Sequence, residues 1–226
     1  MKLNTFVVAT VLASALSAGP LLAQTEDEKA KMQKDIQNWA AMREEAIPAG
    51  EILAGDVKNI ANPVGQVEEL ILNEKGTRIQ YVLFEVPYPY SFYTGEDGFV
   101  NYKAVEVEDG YYGGVNLLIR DADVDLPRDQ LKLTKGEARG RLVSRLIGSD
   151  IKFADGQMRE VEDILVHPKT GMVTHYVVEM NPDALFDDDS RTIRATKVSI
   201  KKDGSIVTDL KVTDVEETQD FDPRFL

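Results

Sequence analysis

"DVKNIANPVGQVEELILNEKGTRIQYVLFE", residues 56–85, and "DIKFADGQMREVEDILVHPKTGMVTHYVVE", residues 150–179, are two versions of one pattern. Asp56, Val57 and Lys58 match Asp150, Ile151 and Lys152, which stand 94 residues later. Val67, Glu68, Glu69, Leu70, Ile71 and Leu72 match Val161, Glu162, Asp163, Ile164, Leu165 and Val166 at the same spacing. Past the turn, Gly76 matches Gly171, and Tyr81–Val82 match Tyr176–Val177. The spacing there is 95, read as one extra turn residue. Each version reads as a strand, a tight glycine turn and a returning strand whose apolar face closes a core. A period of this length is too long for a solenoid repeat and suits a duplicated small domain.

Working outward, the rest of the chain after Pro48 keeps to the same style. Short β-branched and aromatic runs ("VNLLI", "TKVSI", "IVTDLKV") alternate with Gly, Asn, Asp and Pro. That pattern predicts a mainly β protein of small sheets or barrels. "NEKG", "DGQ", "PKTG" and "KKDG" supply turns in which glycine takes positive φ.

The paired windows resemble the PRC-barrel family. The residues that carry the likeness are Gly65, Val67, Glu68, Glu69, Leu70, Gly76 and Tyr81, then Gly156, Val161, Glu162, Asp163, Ile164, Gly171 and Tyr176. Arg159 departs from the pattern where Gly65 keeps a glycine. The resemblance implies two tandem small β-barrels, spanning 49–135 and 136–226, the first with an aromatic insert. It also implies an assembly, docking or scaffold role, and it brings no catalytic residues and no cofactor.

The N-terminal side differs. "MKLNTFVVATVLASALSAGPLLAQ" has Lys2, an apolar run from Phe6 to Leu16 and a small residue, Ala23, before Gln24. It reads as a signal peptide over 1–23, which directs the chain to the periplasm or the medium. The other reading is an uncleaved anchor in the inner membrane, since Leu3–Ala23 is just long enough to span. Residues 24–48 read as an amphipathic helix. "TEDE" offers a capping box from Thr25 to Glu28, and Met32, Ile36, Trp39 and Met42 recur at helical spacing. Pro48 ends the run.

Composition narrows the role. The 226-residue chain has no cysteine, so disulfides, thiolate catalysis and thiol-ligated metals are out. A net charge of −13 with no basic cluster beyond "KVSIKK" argues against nucleic acid and anionic lipid partners. No Gly-x-Ser-x-Gly, HExxH, P-loop or GxGxxG motif occurs.

Three groups of residues remain to be weighed. His167 and His175 flank the "PKTG" turn, and two histidines alone leave a zinc site short of ligands. In Glu68–Glu69 and Glu162–Asp163, adjacent strand residues face opposite ways, so neither pair converges on one substrate. One member of each is expected to lie near a barrel mouth and accept a turn N–H instead. Asp121, Asp123, Asp125 and Asp129 crowd "DADVDLPRDQL", but an EF-hand loop needs Gly and Glu where Leu126 and Lys132 stand. Calcium binding there, or at Asp187–Asp189, keeps open a second reading as a small-ligand or cation-binding envelope protein.

The candidate interaction surface is Tyr88, Tyr90, Phe92, Tyr93, Tyr111 and Tyr112, within a stretch that also holds Phe99 and Tyr102. Tyrosine suits an interface because one end is apolar and the other polar. The same property suits a core between domains, and both readings stand here. The favoured function is a non-catalytic protein-binding or scaffold protein with a protein partner in the cell envelope.

Overall fold

A computed structural model describes residues 45–59, 62–85, 98–109, 114–120, 124–125, 141–181 and 189–216. The signal segment and the amphipathic helix up to residue 44, including Trp39, lie outside the described residues. The described residues belong to one compact unit. The fold is mainly β, curling into a half-barrel.

The first half runs β1 (Ile47–Pro48), α1 (Ala49–Leu53), β2 (Asp56–Asn59), β3 (Asn62–Leu72), β4 (Ile79–Glu85) and β5 (Gly98–Asn101). A single 3-10 turn (Tyr102–Ala104) follows, then β6 (Glu106–Asp109), β7 (Val115–Ile119) and β8 (Val124–Asp125). The second half repeats the order: α2 (Val143–Leu146), β9 (Asp150–Lys152), β10 (Met158–Val166), β11 (Val173–Glu179) and β12 (Ser190–Arg194). A 3-10 turn (Ala195–Lys197), β13 (Val198–Ile200), β14 (Ile206–Thr208) and a C-terminal helix (Val212–Glu216) complete it.

The sheets repeat as well. One has the order β6-β7-β2-β3-β4-β5-β8, the other β13-β14-β9-β10-β11-β12 with β1 added on β10. In each, one parallel pair (β2 with β7, β9 with β14) sits among antiparallel ones. The bulges coincide too. Glu68 and Glu162 are the extra residues between Val67/Glu69 and Val161/Asp163, and Gln80 and Thr174 are skipped on the returning strands.

This register corrects the alignment past the turn. Leu72 pairs with Ile79 and Val166 with Val173, so the spacing stays at 94 and no turn residue is extra. Tyr81 is the counterpart of His175, and Val82 of Tyr176. Burial along β4 and β11 agrees, with the same in-out sequence in both. What moved is the glycine. The two turns are equally long, but Gly76 and Gly171 occupy neighbouring positions in them, each at φ 67°. The other predicted turn glycines, Gly156 and Gly204, also take positive φ.

The aromatic stretch is not an insert. Residues 98–109 form β5, the 3-10 turn and β6, which correspond to β12, its 3-10 turn and β13. Connection 86–97 stands against 180–189 in the other half, so it is hardly longer than its counterpart. Two predicted strands are shorter than their runs. In "TKVSI" only Val198–Ile200 is strand, and in "IVTDLKV" the strand ends at Thr208 before a helix begins at Val212.

The halves meet about a pseudo-two-fold axis. Arg78 and Met172, themselves 94 apart, form an antiparallel bridge. Beside it Ile79 N–H donates to the Gly171 carbonyl (2.8 Å) and Val173 N–H to the Thr77 carbonyl (3.0 Å). Ile71 bridges Leu142 just as Leu165 pairs with Pro48. One apolar cluster runs through both halves, with Ile52, Leu70, Leu72, Val82 and Phe84 from the first and Leu146, Ile151, Ile164, Tyr176 and Val178 from the second. Leu165 and Val177 lie on the opposite face of the second sheet, covered by Ala46.

Candidate functional site

Neither short helix caps itself. Pro48 precedes α1 and Leu142 precedes α2, and neither offers a side-chain cap. The first N–H groups of a helix lack intrahelical partners, so an acceptor must come from elsewhere. It comes from the other half. Asp163 on β10 accepts from Gly50 N–H of α1 (3.1 Å). Glu69 on β3 accepts from Ser144 N–H of α2 (3.1 Å) and from the Ser144 hydroxyl. Glu69 and Asp163 are counterparts, and so are Gly50 and Ser144.

The second carboxylate of each Val–acidic–acidic motif therefore ties its half to the other. Both also accept from the next residue, Leu70 N–H at 2.9 Å and Ile164 N–H at 2.6 Å. Burial pushes the Asp163 carboxyl above its usual range, against the N–H groups of Ile164, Gly50 and Ala49. A methyl on Gly50 would stand 2.7 Å from Asp163 Oδ2, so glycine makes the room that this carboxylate occupies. Glu69, only 8% exposed, reaches a serine instead.

The first carboxylate of each pair goes elsewhere. Glu68 is exposed on its bulge, whereas Glu162 accepts from the Ser190 hydroxyl on β12. The members of each pair have different partners, but strand alternation is not the reason, because Glu68 and Glu162 sit on bulges. Glu69 and Asp163 accept from short helices across the halves rather than from the turn N–H expected. What sequence reasoning missed is which groups donate. They belong to helices of five and four residues that no periodicity announces.

The two histidines are apart in role. His167 opens the turn, where its Nδ1 accepts from Lys169 N–H (3.2 Å). His175 is half-buried on β11, paired across the strands with Leu165 and Arg194. Burial, and then the Arg194 charge, hold its imidazole below the ordinary pKa. Its charged form is disfavoured in the folded state, so acidification through the unfolded value near 6.5 costs stability. His175→Tyr copies the counterpart Tyr81 and removes this dependence. Urea denaturation at pH 7.5 and 5.5 is expected to show wild type losing ground to the variant on acidification. Equal losses in both proteins would refute the assignment.

Of the aromatic stretch, Phe99 and Tyr102 are buried, at 5% and 1% exposure, and Phe99 stacks edge-on against Tyr81 at 5.6 Å. The Tyr102 hydroxyl donates to the Pro168 carbonyl at 3.0 Å, reaching across to the turn of the other half. Tyr88, Tyr90, Phe92, Tyr93, Tyr111 and Tyr112 lie outside the described residues. The strands around them assign the first four to the β4–β5 connection and the last two to the β6–β7 connection, so one continuous patch is not implied by the sequence interval.

The acidic loops are also split. Asp125 belongs to β8, and Asp189 pairs with Arg191 at 2.9 Å. Asp121, Asp123, Asp129, Asp187 and Asp188 lie outside the described residues. Among the described residues, no group of three or more His, Asp or Glu side chains is placed to hold a metal ion. No helix among them is long and apolar enough to cross a membrane. No family model and no curated protein matches the chain.

Proposed function

We propose that the chain is a non-catalytic protein-binding or assembly module of the cell envelope, built from two PRC-barrel-like halves. The observation that carries this reading is the reciprocal use of Glu69 and Asp163. The buried carboxylates that would serve acid–base chemistry are engaged as helix caps between the halves. The motif acids join the two halves, and binding residues are commonly carried on connections between the strands of such a scaffold. The apolar run at 6–16 in the N-terminal segment supports delivery to the envelope.

The candidate contact residues are Tyr88, Tyr90, Phe92, Tyr93, Tyr111 and Tyr112. A photo-crosslinking residue placed at Tyr90 or Tyr112, with Met158 as control, tests the reading in envelope-competent bacteria. One reproducible protein adduct is expected at Tyr90, Tyr112 or both, absent at Met158. It should rebind as a purified protein and be lost on Tyr→Ser substitution. No adduct at either tyrosine, or equal adducts at all three sites, would overturn it.

A further inference from the structure

The hairpin turns of the two halves lie side by side. Arg78 bridges Met172, and the bonds from Ile79 to Gly171 and from Val173 to Thr77 hold the turns antiparallel. Each turn leans on the other half. Gly76 stands against the end of the Ile200 side chain, and Gly171 against the Tyr102 ring. Connectivity then places Lys201 and Lys202, which follow Ile200 at the β13–β14 turn, near Lys75. Lys169 comes from the other turn, and Arg78 from the bridge between the two. Lys75, Lys169, Lys201 and Lys202 are exposed and Arg78 is half-buried.

This is cationic ground on a chain of net charge −13. The acids within it are Glu74, exposed beside Lys75, and Asp203. The Asp203 carboxylate accepts from Ser205 N–H (3.0 Å) and from the Ser205 hydroxyl (2.7 Å), which ties it to its own turn. On the flank of the second turn, exposed Lys103 and Glu106 bring opposite charges. Between the cations stands Met172, 48% exposed, one of two large apolar side chains so open among the described residues. An unbranched thioether chain adapts to apolar partners of varied shape. Charges are screened over about 8 Å at physiological salt. A ligand that stays on the turns therefore feels these cations more than the acidic remainder of the chain. A nucleic-acid duplex or an anionic bilayer extends past the turns and meets that remainder.

We infer that the paired turns are a docking face for a short acidic segment of a protein partner, with apolar residues at the centre of that segment. Its acids meet Lys75, Lys169, Lys201 and Lys202, and its apolar residues cover Met172. Complementary charge of this kind sets encounter rate and partner choice more than raw affinity. The inference rests on the protein-binding reading above and gives the partner a chemistry. The two stand or fall separately, because the tyrosine-bearing connections are probed without reference to the turns.

Fluorescence anisotropy of the full chain with a labelled Glu-Glu-Leu-Leu-Glu-Glu peptide tests this. Binding is expected, weaker at high salt, weaker for Glu-Glu-Ser-Ser-Glu-Glu and absent for Lys-Lys-Leu-Leu-Lys-Lys. Lys75→Glu combined with Lys169→Glu is expected to weaken it about tenfold or more, and Met172→Ser several-fold. Lys152→Glu combined with Lys211→Glu makes the same charge change at exposed positions away from the turns. It is expected to leave binding within about twofold. No binding of the Glu–Leu peptide, or equal weakening by the two charge pairs, would overturn the proposal. So would binding to phosphatidylglycerol vesicles in place of the peptide, since the face would then serve a membrane. A protein adduct at Tyr90 or Tyr112 together with no peptide binding would sink this face and leave the partner reading standing.

Discussion

Tyr102→Ala is expected to destabilise the folded unit by about 3–5 kcal/mol, the range for removing a buried aromatic side chain. At this chain size that lowers the melting temperature by about 10 °C. The ring is 1% exposed and stands between the halves, its hydroxyl on the Pro168 carbonyl. Tyr102→Phe loses only that hydrogen bond, about 1 kcal/mol. Gly171 makes the case sharper. A methyl there would come within 2.6 Å of the Tyr102 ring, at a residue with φ +67°. Gly171→Ala is expected to cost about 1–2 kcal/mol for the left-handed backbone and about 1–3 kcal/mol for overpacking. In the Tyr102→Ala background the methyl enters vacated space and only the backbone cost remains. The double variant is therefore expected to be more stable than the sum of the singles predicts, by about 1–3 kcal/mol. Guanidinium denaturation of the four proteins measures it, and strict additivity would show that the ring and the turn do not press on each other. Gly76→Ala meets the Ile200 Cδ1 end of a half-buried side chain at 2.6 Å, which can give way, so its loss should be smaller than that of Gly171→Ala.

The contrast between Tyr102 and the neighbouring aromatic positions marks what the sequence could tell. The strands in the two windows were legible because β-branched and aromatic runs bounded by glycine turns are local signals, written within a few residues. Tyr102 was not separable from Tyr88 or Tyr111, since an amphipathic ring suits a core and a surface alike. The spacing past the turn was misjudged for a related reason. Gly171 and the Tyr–Val dipeptide drew the alignment one place along, whereas the physical constraint is which residues face the core. Val82 and Tyr176 share that place although they look unlike, and Tyr81 and His175 share the one before it. The short helices were invisible because nothing within them announces a start. Their caps lie 113 and 75 residues away in the chain.

Those distant caps give the second large effect. Glu69→Ala removes the acceptor for the part-buried Ser144 N–H and hydroxyl and for the buried Leu70 N–H. Hydrogen bonds to a charged group are worth about 1.5–3 kcal/mol, and a buried donor left unpaired costs a similar amount. A loss of about 3 kcal/mol is expected. Ser144→Ala keeps the capped amide and loses the hydroxyl alone, about 1 kcal/mol. Because both changes act on one cluster, the pair should couple by about 1 kcal/mol or more in a double-mutant cycle. Asp163→Ala should cost less than Glu69→Ala. Asp163 caps α1 through backbone N–H groups with no hydroxyl donor, and burial already opposes its charge. That opposition has a sign that can be read. A carboxyl whose folded pKa is raised favours the folded state as pH falls toward the unfolded value, so Asp163→Asn should gain on wild type as pH rises from 4 to 7. The caps cross between halves, so each variant should shift a single unfolding transition seen equally by probes in either half. Two separated transitions in Glu69→Ala, with the second half melting alone, would mean that the halves stand independently and that the reciprocal caps do not hold them together.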